Sequence, residues 1–394
     1  MRVLMISWEY APHLQGGMGR HVTELLPALA RHPDMVVHLV TPRYNGGETL
    51  QAFGDLIVHR VDAPQPGRDN IYSGARHTNH LMGQFIESLW QQVGGFDLIH
   101  AHDWLVGFVA SAVHRTYGAP LVVTFHATER GRNRGWLPNA LSQQIHDAES
   151  ALAQTATRLI TVSSFMRKEV RSYFGVDSAK VRVIPNGVNT ALFDEQRLLD
   201  HSLERQSYAL PEERIVFHIG RLVYEKGAPV LVEAIPFVLR AFPQTRFVIA
   251  GRGPLLESLQ QRAAALQVGH QVRFPGFVTD EDAARLYCMA DVAVFPSLYE
   301  PFGVVALEAM AARTPLVVTN VGGLGEVVEH DKTGITVFPD DPGSLAWGIC
   351  KTLREPDASR ARAESAYRLA QEVYSWNVIA RTTAGVYREA APGA

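Results

Sequence analysis

The chain has 394 residues, which at roughly 150 residues per domain suggests two domains, or three if one is small. Hydrophobic residues make up 46% of it and charged residues 20%, which excludes a disordered chain and a disulfide-stapled miniprotein. Lysine and arginine total 37 against 40 acidic residues, so no excess of positive charge favours nucleic acid as a partner.

The two cysteines, Cys288 and Cys350, are too few for a metal cage and lack the spacing of a redox pair, which favours a reducing cytoplasm. The apolar run at residues 3–6 is too short for the core of a signal peptide. Because no uncharged apolar run approaches the roughly 18 residues of a membrane span, we expect no transmembrane segment. Peripheral membrane contact and the oligomeric state stay open.

Short β-branched apolar runs alternate with longer amphipathic stretches along the chain. Uninterrupted apolar runs are typical of parallel strands that are buried on both faces, with crossover helices between them. In the first half, these runs lie at residues 3–6, 36–40, 98–100, 121–125, 159–162 and 181–184. They predict a doubly wound, Rossmann-like α/β domain.

The first predicted strand is followed by Gly16 and Gly17, which precede a predicted helix at residues 20–31. Glycines at a helix start let backbone N–H groups approach a phosphate, and the helix dipole favours the anion. The spacing matches neither a Walker loop nor the full dinucleotide fingerprint, so a flexible turn is the alternative interpretation.

The strand pattern restarts after the turn at Asn186 and Gly187, with apolar runs at residues 215–219, 247–250, 272–274, 292–295, 316–319 and 335–337. We therefore predict two Rossmann-like domains, at residues 1–186 and 187–375, and a C-terminal helix at 376–394 that packs back on the first domain. The cleft that the two domains face is the expected site.

Two cations follow the first strand of the second domain. Arg221 lies at its end, and Lys226 lies five residues later at the start of the next predicted helix. One bidentate cation and one compact cation at the same sheet edge suit a diphosphate, whereas solvated surface charges are the plainer interpretation.

Two carboxylates surround the segment Pro-Phe-Gly at residues 301–303. Glu300 lies in the loop after a predicted strand, and Glu308 lies about one turn inside the helix that begins near Gly303. A carboxylate in an otherwise apolar helix is costly unless it meets a polar partner, for which sugar hydroxyls are suitable. The alternative is that both acids are solvated.

These motifs together resemble the retaining glycosyltransferases of family 4, which have the two-domain GT-B fold. The resemblance rests on Gly-Arg-Leu-x-x-x-Lys-Gly at 220–227, on the glutamates eight positions apart and on the N-terminal glycines. It implies sugar transfer from a nucleotide diphosphate with retention of configuration, and it implies that no metal or other cofactor is needed. The acidic run at 280–282 fits that expectation, since it is interpreted as a helix N-terminal cap.

The resemblance also implies roles for individual residues. Arg221 and Lys226 would stabilise the leaving diphosphate, Glu300 would orient the donor sugar, and Glu308 would bind the ribose hydroxyls. The remaining donor-binding residues would be Gly16, Gly17, Gly220, Phe302, Gly303 and Val304.

Two segments of the first domain, at residues 100–104 and 124–126, resemble the glycogen and starch synthases of this family. By that resemblance, His126 contacts the transferred sugar near the reaction centre and Asp103 lies at the acceptor. The alternative interpretation is that His126, which follows a buried strand, is a core histidine whose hydrogen bonds are satisfied within the protein.

The acceptor side departs from bacterial glycogen synthases, which carry Lys-Thr-Gly-Gly-Leu in the first loop and an aspartate three residues past the second glycine. Here Leu14 and Gln15 precede the glycines, and Arg20 occupies the downstream position. Three arginines at 130–134 and Trp136 adjoin the same expected mouth. This loop would clamp an anionic acceptor, stack a glucan on Trp136, or remain solvated.

The sequence therefore predicts a retaining hexosyltransferase that moves glucose from ADP- or UDP-glucose to an α-glucan or a related saccharide. A small anionic or lipid-linked acceptor is the alternative within the same chemistry. An epimerase and a nonenzymatic sugar-binding module are the remaining alternatives.

Overall fold

The computed structural model describes residues 1–14, 16–44, 46–67 and 70–393, so Gln15 lies outside the described residues. The chain forms two compact units. The first unit contains Met1–Gly187 and the C-terminal helix from Trp376 onward, and the second contains Val188–Ser375.

The first unit is built on an eight-stranded sheet with the order β3-β4-β2-β1-β5-β6-β7-β8. Its strands are β1 (Arg2–Ile6), β2 (Val36–Pro42), β3 (Leu50–Phe53), β4 (Leu56–Val61), β5 (Leu98–His102), β6 (Leu121–Phe125), β7 (Arg158–Thr161) and β8 (Val181–Val183). Its first six helices are α1 (Gly17–Ala30), α2 (Ile71–Val93), α3 (Gly107–Tyr117), α4 (Glu129–Arg132), α5 (Ala140–Thr155) and α6 (Ser164–Phe174).

Strands β3 and β4 are absent from the sequence prediction. β4 pairs in parallel with β2, and β3 pairs antiparallel with β4 at the edge of the sheet. Most of β3 is exposed, and β4 carries His59 and Arg60. The edge strand β3 is too exposed, and the inner strand β4 is too interrupted by polar residues, to show the continuous apolar run that marks a strand buried on both faces.

The C-terminal helix (Trp376–Ala390) belongs to the core of the first unit. Its apolar face, which includes Trp376 and Ile379, packs with α1 and the central strands. Within this core, the Tyr387 hydroxyl lies 2.6 Å from Nδ1 of the buried His100, whose Nε2 lies 2.8 Å from Thr124 Oγ1. The last helix thereby satisfies a polar group on a central strand.

The second unit is built on a six-stranded parallel sheet with the order β11-β10-β9-β12-β13-β14. Its strands are β9 (Arg214–Ile219), β10 (Thr245–Ala250), β11 (Val272–Gly276), β12 (Val292–Phe295), β13 (Leu316–Thr319) and β14 (Ile335–Val337). Its helices are α7 (Thr190–Arg197), α8 (Ser202–Arg205), α9 (Ala228–Ala241), α10 (Leu256–Ala265), α11 (Asp280–Met289), α12 (Val304–Ala311), α13 (Leu324–Val327), α14 (Pro342–Arg354) and α15 (Pro356–Glu372).

The predicted fold class, two doubly wound α/β halves, is confirmed. One local prediction is wrong, because the N-cap of α11 is Thr279, whose Oγ1 accepts a hydrogen bond from the Asp282 backbone N–H at 3.1 Å. The acids at 280–282 instead fill the first turn, where the helix dipole favours them.

Among the described residues, none of the helices has the length and apolar character needed to cross a membrane.

We expect Tyr387→Phe to destabilise the first unit, because it leaves a buried nitrogen of His100 without its partner at a cost of about 1–3 kcal/mol. For a unit of this size, that cost lowers the melting temperature by roughly 2–4 °C per kcal/mol. Scanning calorimetry checks the shift, with Tyr117→Phe at a half-exposed position as the matched control. Equal melting temperatures for the two variants would contradict the role assigned to the Tyr387 hydroxyl.

Candidate active site

The cationic turn of the second unit follows β9. Arg221 is mostly exposed, and its Nη2 lies 3.2 Å from Glu225 Oε1. Lys226 ends a short 3₁₀ turn, and its Nζ lies 2.6 Å from Oε2 of Glu300. The two cations that the sequence predicts for a diphosphate are therefore each paired with a carboxylate of this unit.

Gly227 allows this turn to touch the loop after β12. Its φ is +70°, and a Cβ at this position would lie 1.8 Å from the carbonyl oxygen of Pro296. The backbone N–H groups of Leu298 and Tyr299 donate to the Glu225 carbonyl at 2.8 and 3.2 Å. The two loops are thus clamped backbone to backbone, which sets Lys226 against Glu300.

Glu300 is itself held on several sides. It is only 7% exposed, and the Ser297 hydroxyl donates to Oε2, the same oxygen that faces Lys226, at 3.3 Å. Its backbone carbonyl accepts from Gly323 N–H at 2.8 Å. The carboxylate is therefore fixed at the carboxyl end of β12 by groups of its own unit.

Gly303 and Val304 start α12, as predicted. Gly303 caps the helix with a φ of +103°, and a Cβ there would lie 2.5 Å from a methyl carbon of Leu324. Phe302 is buried and packs against the ring of Tyr374. The bend after Phe302 therefore requires glycine for both backbone conformation and space.

Glu308 is buried at 6% exposure, which excludes the solvated alternative. The Tyr287 hydroxyl on α11 donates to Glu308 Oε2 at 3.0 Å and lies 3.2 Å from the Val305 carbonyl. The sequence predicts that sugar hydroxyls are the polar partners of Glu308, and the Tyr287 hydroxyl already provides one such partner. Tyr287 escaped the sequence analysis because a tyrosine in an amphipathic helix gives no sign of its partner.

His218 is a second residue that the sequence analysis missed. It lies near the end of β9 and donates from Nδ1 to the Val294 carbonyl at 2.9 Å, while its buried Nε2 has no hydrogen-bond partner among the described residues. Burial lowers its pKa to about 4, with the Val294 hydrogen bond acting against this shift and Lys226 acting with it, so the ring is neutral. A Cβ on Gly220 would lie 3.8 Å from this Nε2. The ring therefore adjoins Gly220, one of the residues predicted to bind the nucleotide sugar.

Asp103 follows β5 in the first unit with an unusual φ of +57°. Its Oδ1 accepts a hydrogen bond from the backbone N–H of His126 at 2.8 Å, which connects the ends of two neighbouring strands. Burial raises the pKa of this carboxyl to about 7, although the His126 hydrogen bond and Arg132 act in the opposite direction. The group therefore changes charge near neutral pH.

His126 lies in a cluster of buried imidazoles. Its Nε2 is 3.1 Å from Nδ1 of His102, and its ring meets the ring of His21 edge to face at 4.7 Å. One nitrogen from each of His21, His102 and His126 lies within 4.8 Å of the other two, which is the geometry of a potential metal site. Burial lowers the pKa of all three imidazoles, so the rings are neutral.

The glycine turn before α1 is also close to an acid. Gly17 is the first residue of α1, and a Cβ on either Gly16 or Gly17 would meet open space. The backbone N–H of Gly16 donates to Glu9 Oε2 at 3.2 Å, so the protein's own carboxylate contacts part of this expected phosphate cradle. Arg20 lies half-buried in the first turn of α1. Glu9 is absent from the sequence prediction, although its position three residues after β1 was an available signal.

The segment expected to be a loop at 130–134 contains helix α4, and two of its arginines are engaged. The Arg130 guanidinium lies 5.4 Å from the ring centre of Tyr173. Arg132 Nε lies 3.7 Å from Glu129 Oε2, and its Nη2 lies 3.9 Å from Oε1 of the buried Glu149 side chain. Trp136, by contrast, is 77% exposed.

Two family models together match most of the chain. The family model described as "Glycosyltransferase Family 4" matches residues 15–192, and the one described as "Glycosyl transferases group 1" matches residues 200–369. A glycogen synthase of Mycobacterium tuberculosis is 36% identical over 409 residues, which cover 100% of this chain and 96% of the relative. The chain belongs to glycosyltransferase family 4.

Further relatives of this family 4 glycosyltransferase differ in the acceptor that their names imply. A D-inositol 3-phosphate glycosyltransferase of Nocardioides is 29% identical and covers 99% of this chain and 90% of its own length. Sucrose-phosphate synthase from Thermosynechococcus elongatus superposes with a TM-score of 0.82 at 25% identity over 98% of both chains. The fold is therefore GT-B, and the protein is a nucleotide-sugar-dependent hexosyltransferase.

We expect Gly227→Ala to impair the glycosyltransferase more than Gly276→Ala does. Both glycines have positive φ, but a Cβ at 227 strikes the Pro296 carbonyl whereas a Cβ at 276 meets open space. The first change must separate the two loops, lowering both the melting temperature and kcat, while the second adds backbone strain of about 1 kcal/mol. Calorimetry and initial rates check this, and equal losses in both variants would contradict the clamp.

Glu149 gives the first unit a pH dependence. Burial raises its pKa to about 8, so between about pH 5 and pH 8 the folded protein keeps a proton that the unfolded chain has lost. Stability due to this group therefore falls as pH rises through that window. We expect Glu149→Gln to gain about 2 kcal/mol relative to the wild type between pH 5 and pH 8, measured by urea unfolding.

The exposed Glu87→Gln on α2 is the matched control and should show no such change with pH. A stability difference between Glu149→Gln and the wild type that is independent of pH, or that favours the wild type as pH rises, would contradict this interpretation.

Proposed function

We propose that this enzyme transfers glucose from ADP- or UDP-glucose to an α-glucan with retention of the anomeric configuration and without a metal ion. The observation that carries the donor part is the clamped Lys226 to Glu300 pair at the carboxyl end of the second unit's sheet. The similarity to a glycogen synthase along the whole chain supports the glucan part.

In this proposal, Lys226 and Arg221 stabilise the charge that grows on the diphosphate as the glycosidic bond breaks. Preorganised charges of this kind cost no reorganisation when the reaction occurs, and they act most strongly on the transition state. Both cations rest against carboxylates before the donor binds, and the exposed guanidinium of Arg221 is free to turn from Glu225 toward a phosphate.

The carboxylates would act on hydroxyl groups. Glu300 would orient the donor sugar with the oxygen that Lys226 and Ser297 do not occupy, and Glu308 would accept from the ribose hydroxyls beside Tyr287. Gly220 and the N-terminus of α12 at Phe302, Gly303 and Val304 would lie along the nucleotide diphosphate.

In the first unit, His126 would contact the transferred sugar and Asp103 would contact the acceptor. The hydrogen bond from His126 N–H to Asp103 Oδ1 couples their positions. No protein nucleophile is invoked, because the departing phosphate would take the proton of the acceptor hydroxyl on the same face of the sugar.

A neutral glucan acceptor is favoured by the state of the side chains at 130–136. Arg130 lies against the Tyr173 ring and Arg132 Nε lies 3.7 Å from Glu129 Oε2, whereas the Trp136 indole is available for stacking. Aromatic faces suit sugar rings, while an anionic acceptor needs arginines that can turn toward it.

An anionic acceptor remains the second candidate, because Arg20 stands at the start of α1 where bacterial glycogen synthases carry an aspartate. A matrix of nucleotide sugars against maltooligosaccharides, glucose phosphates and inositol phosphates, with linkage analysis of the products, distinguishes the two. Product formed only with phosphorylated acceptors would overturn the glucan proposal and leave the donor assignment in place.

Lys226→Ala and Arg221→Ala should each lower kcat by about 100-fold, since each removes one charge that stabilises the leaving diphosphate. Steady-state rates with the best donor check this. Lys332→Ala is a matched control, because Lys332 forms an exposed ion pair with Glu329 elsewhere in the same unit. Near-normal turnover in both test variants would contradict the diphosphate assignment.

Trp136→Ala should raise the KM for maltooligosaccharide by about tenfold, which corresponds to ~1.4 kcal/mol of lost stacking. Arg132→Gln should change it less, and added salt should have little effect because a neutral acceptor is not screened. Initial rates at low and moderate salt test both points. A larger effect of the arginine change together with a steep salt dependence would favour the anionic acceptor.

A further inference from the structure

A cluster of imidazoles in the first unit offers more than a contact for a sugar. His21 lies on α1, His102 ends β5, and His126 follows β6, so three separate elements place one nitrogen each within 4.8 Å of the others. Nδ1 of His102 and Nε2 of His126 are 3.1 Å apart, within hydrogen-bonding distance of each other. Tetrahedral zinc with Zn–N bonds of about 2.0–2.1 Å requires nitrogens roughly 3.3 Å apart, so this pair is already close to the required spacing.

We propose that His21, His102 and His126 form a binding site for a divalent transition metal ion of the zinc type, and that the bound ion inhibits sugar transfer. Imidazole is a favoured ligand of zinc, copper and nickel but not of magnesium or calcium, so the ion's chemical class follows from the ligands. Three histidines leave a fourth position for water, as in other three-histidine zinc sites.

The surroundings of His21 support this assignment. Its Nδ1 lies 2.7 Å from the side-chain oxygen of Asn186, which fixes the proton on Nδ1. Nε2 is then the nitrogen that keeps a lone pair for a metal ion. Metal-binding histidines commonly donate their second nitrogen to an oxygen in this way, which sets both tautomer and ring orientation. His21 and His102 are 4% and 0% exposed, so packing within the protein holds both rings in place.

Inhibition follows from the position of His126. If His126 contacts the transferred sugar, as the proposed function holds, an ion bound to its nitrogen occupies the place of a sugar hydroxyl. The inhibitory part of the inference therefore rests on the proposed function, whereas metal binding itself does not. Catalysis needs no metal in this scheme, so a chelator should preserve activity and zinc should reduce it.

Binding is tested on the full-length, chelator-treated protein with Co²⁺ and Zn²⁺ as probes. We expect visible absorption typical of tetrahedral Co²⁺ and one Zn²⁺ per chain by equilibrium dialysis. His21→Gln should abolish the absorption and weaken Zn²⁺ binding at least tenfold, and Asn186→Ala should weaken it about 10–100-fold through loss of the orienting oxygen. His114→Gln, at a histidine of the same unit whose Nδ1 bonds a backbone carbonyl, is the matched control.

Inhibition is tested by Zn²⁺ titration of the transfer rate, with each protein compared with its own metal-free rate. Zn²⁺ should raise the apparent KM for nucleotide sugar in the wild type and in His114→Gln, but not in His21→Gln. Thermal unfolding of each variant shows whether it is folded. If His21→Gln is not folded, Asn186→Ala takes its place in the titration.

Absence of tetrahedral Co²⁺ absorption in the wild type, or the same binding in His21→Gln, would overturn the metal site. Binding that depends on His21 but leaves the transfer rate unchanged would support the site and overturn its inhibitory role. Activity that is lost on chelation and restored by Zn²⁺ would support the site but overturn the metal-free mechanism of the proposed function.

Discussion

The contact between the Gly227 backbone and the Pro296 carbonyl is the constraint on which the charged site of the second unit depends. No side chain fits between the two loops, and two backbone N–H groups of the second loop bond to the Glu225 carbonyl of the first. This contact holds the Lys226 ammonium 2.6 Å from Glu300. A flexible lysine would otherwise lose side-chain entropy when a diphosphate binds, so the clamp supplies preorganisation.

The first unit follows a different principle, in which burial sets the charge of ionisable groups. Asp103 and Glu149 have raised pKa values, and the imidazoles of His21, His102 and His126 have lowered ones, in every case chiefly because burial disfavours the charged form. Such groups cost stability, and three of them, His102, Asp103 and His126, lie at the carboxyl ends of β5 and β6, which is typical of functional sites.

The histidines also connect the end of the chain to this region. Tyr387 of the C-terminal helix bonds His100, and the His100 ring lies 4.4 Å from that of His102, which contacts His126. Trp376 of the same helix packs edge to face against His21. Because these contacts are buried, the C-terminal helix supports the imidazole cluster as well as the hydrophobic core of the first unit.

The sequence by itself determined the α/β class, most of the strands and the local placement of Glu300, Gly303 and Glu308. Apolar runs reveal strands that are buried on both faces, and a motif within one loop and helix keeps its geometry wherever that helix lies. Only the tertiary structure decided that Tyr287 meets Glu308, that Arg132 turns to Glu149 and that three distant histidines converge. Periodicity reports which residues are buried but not which neighbours they meet, because those contacts depend on strand order and register across the whole sheet.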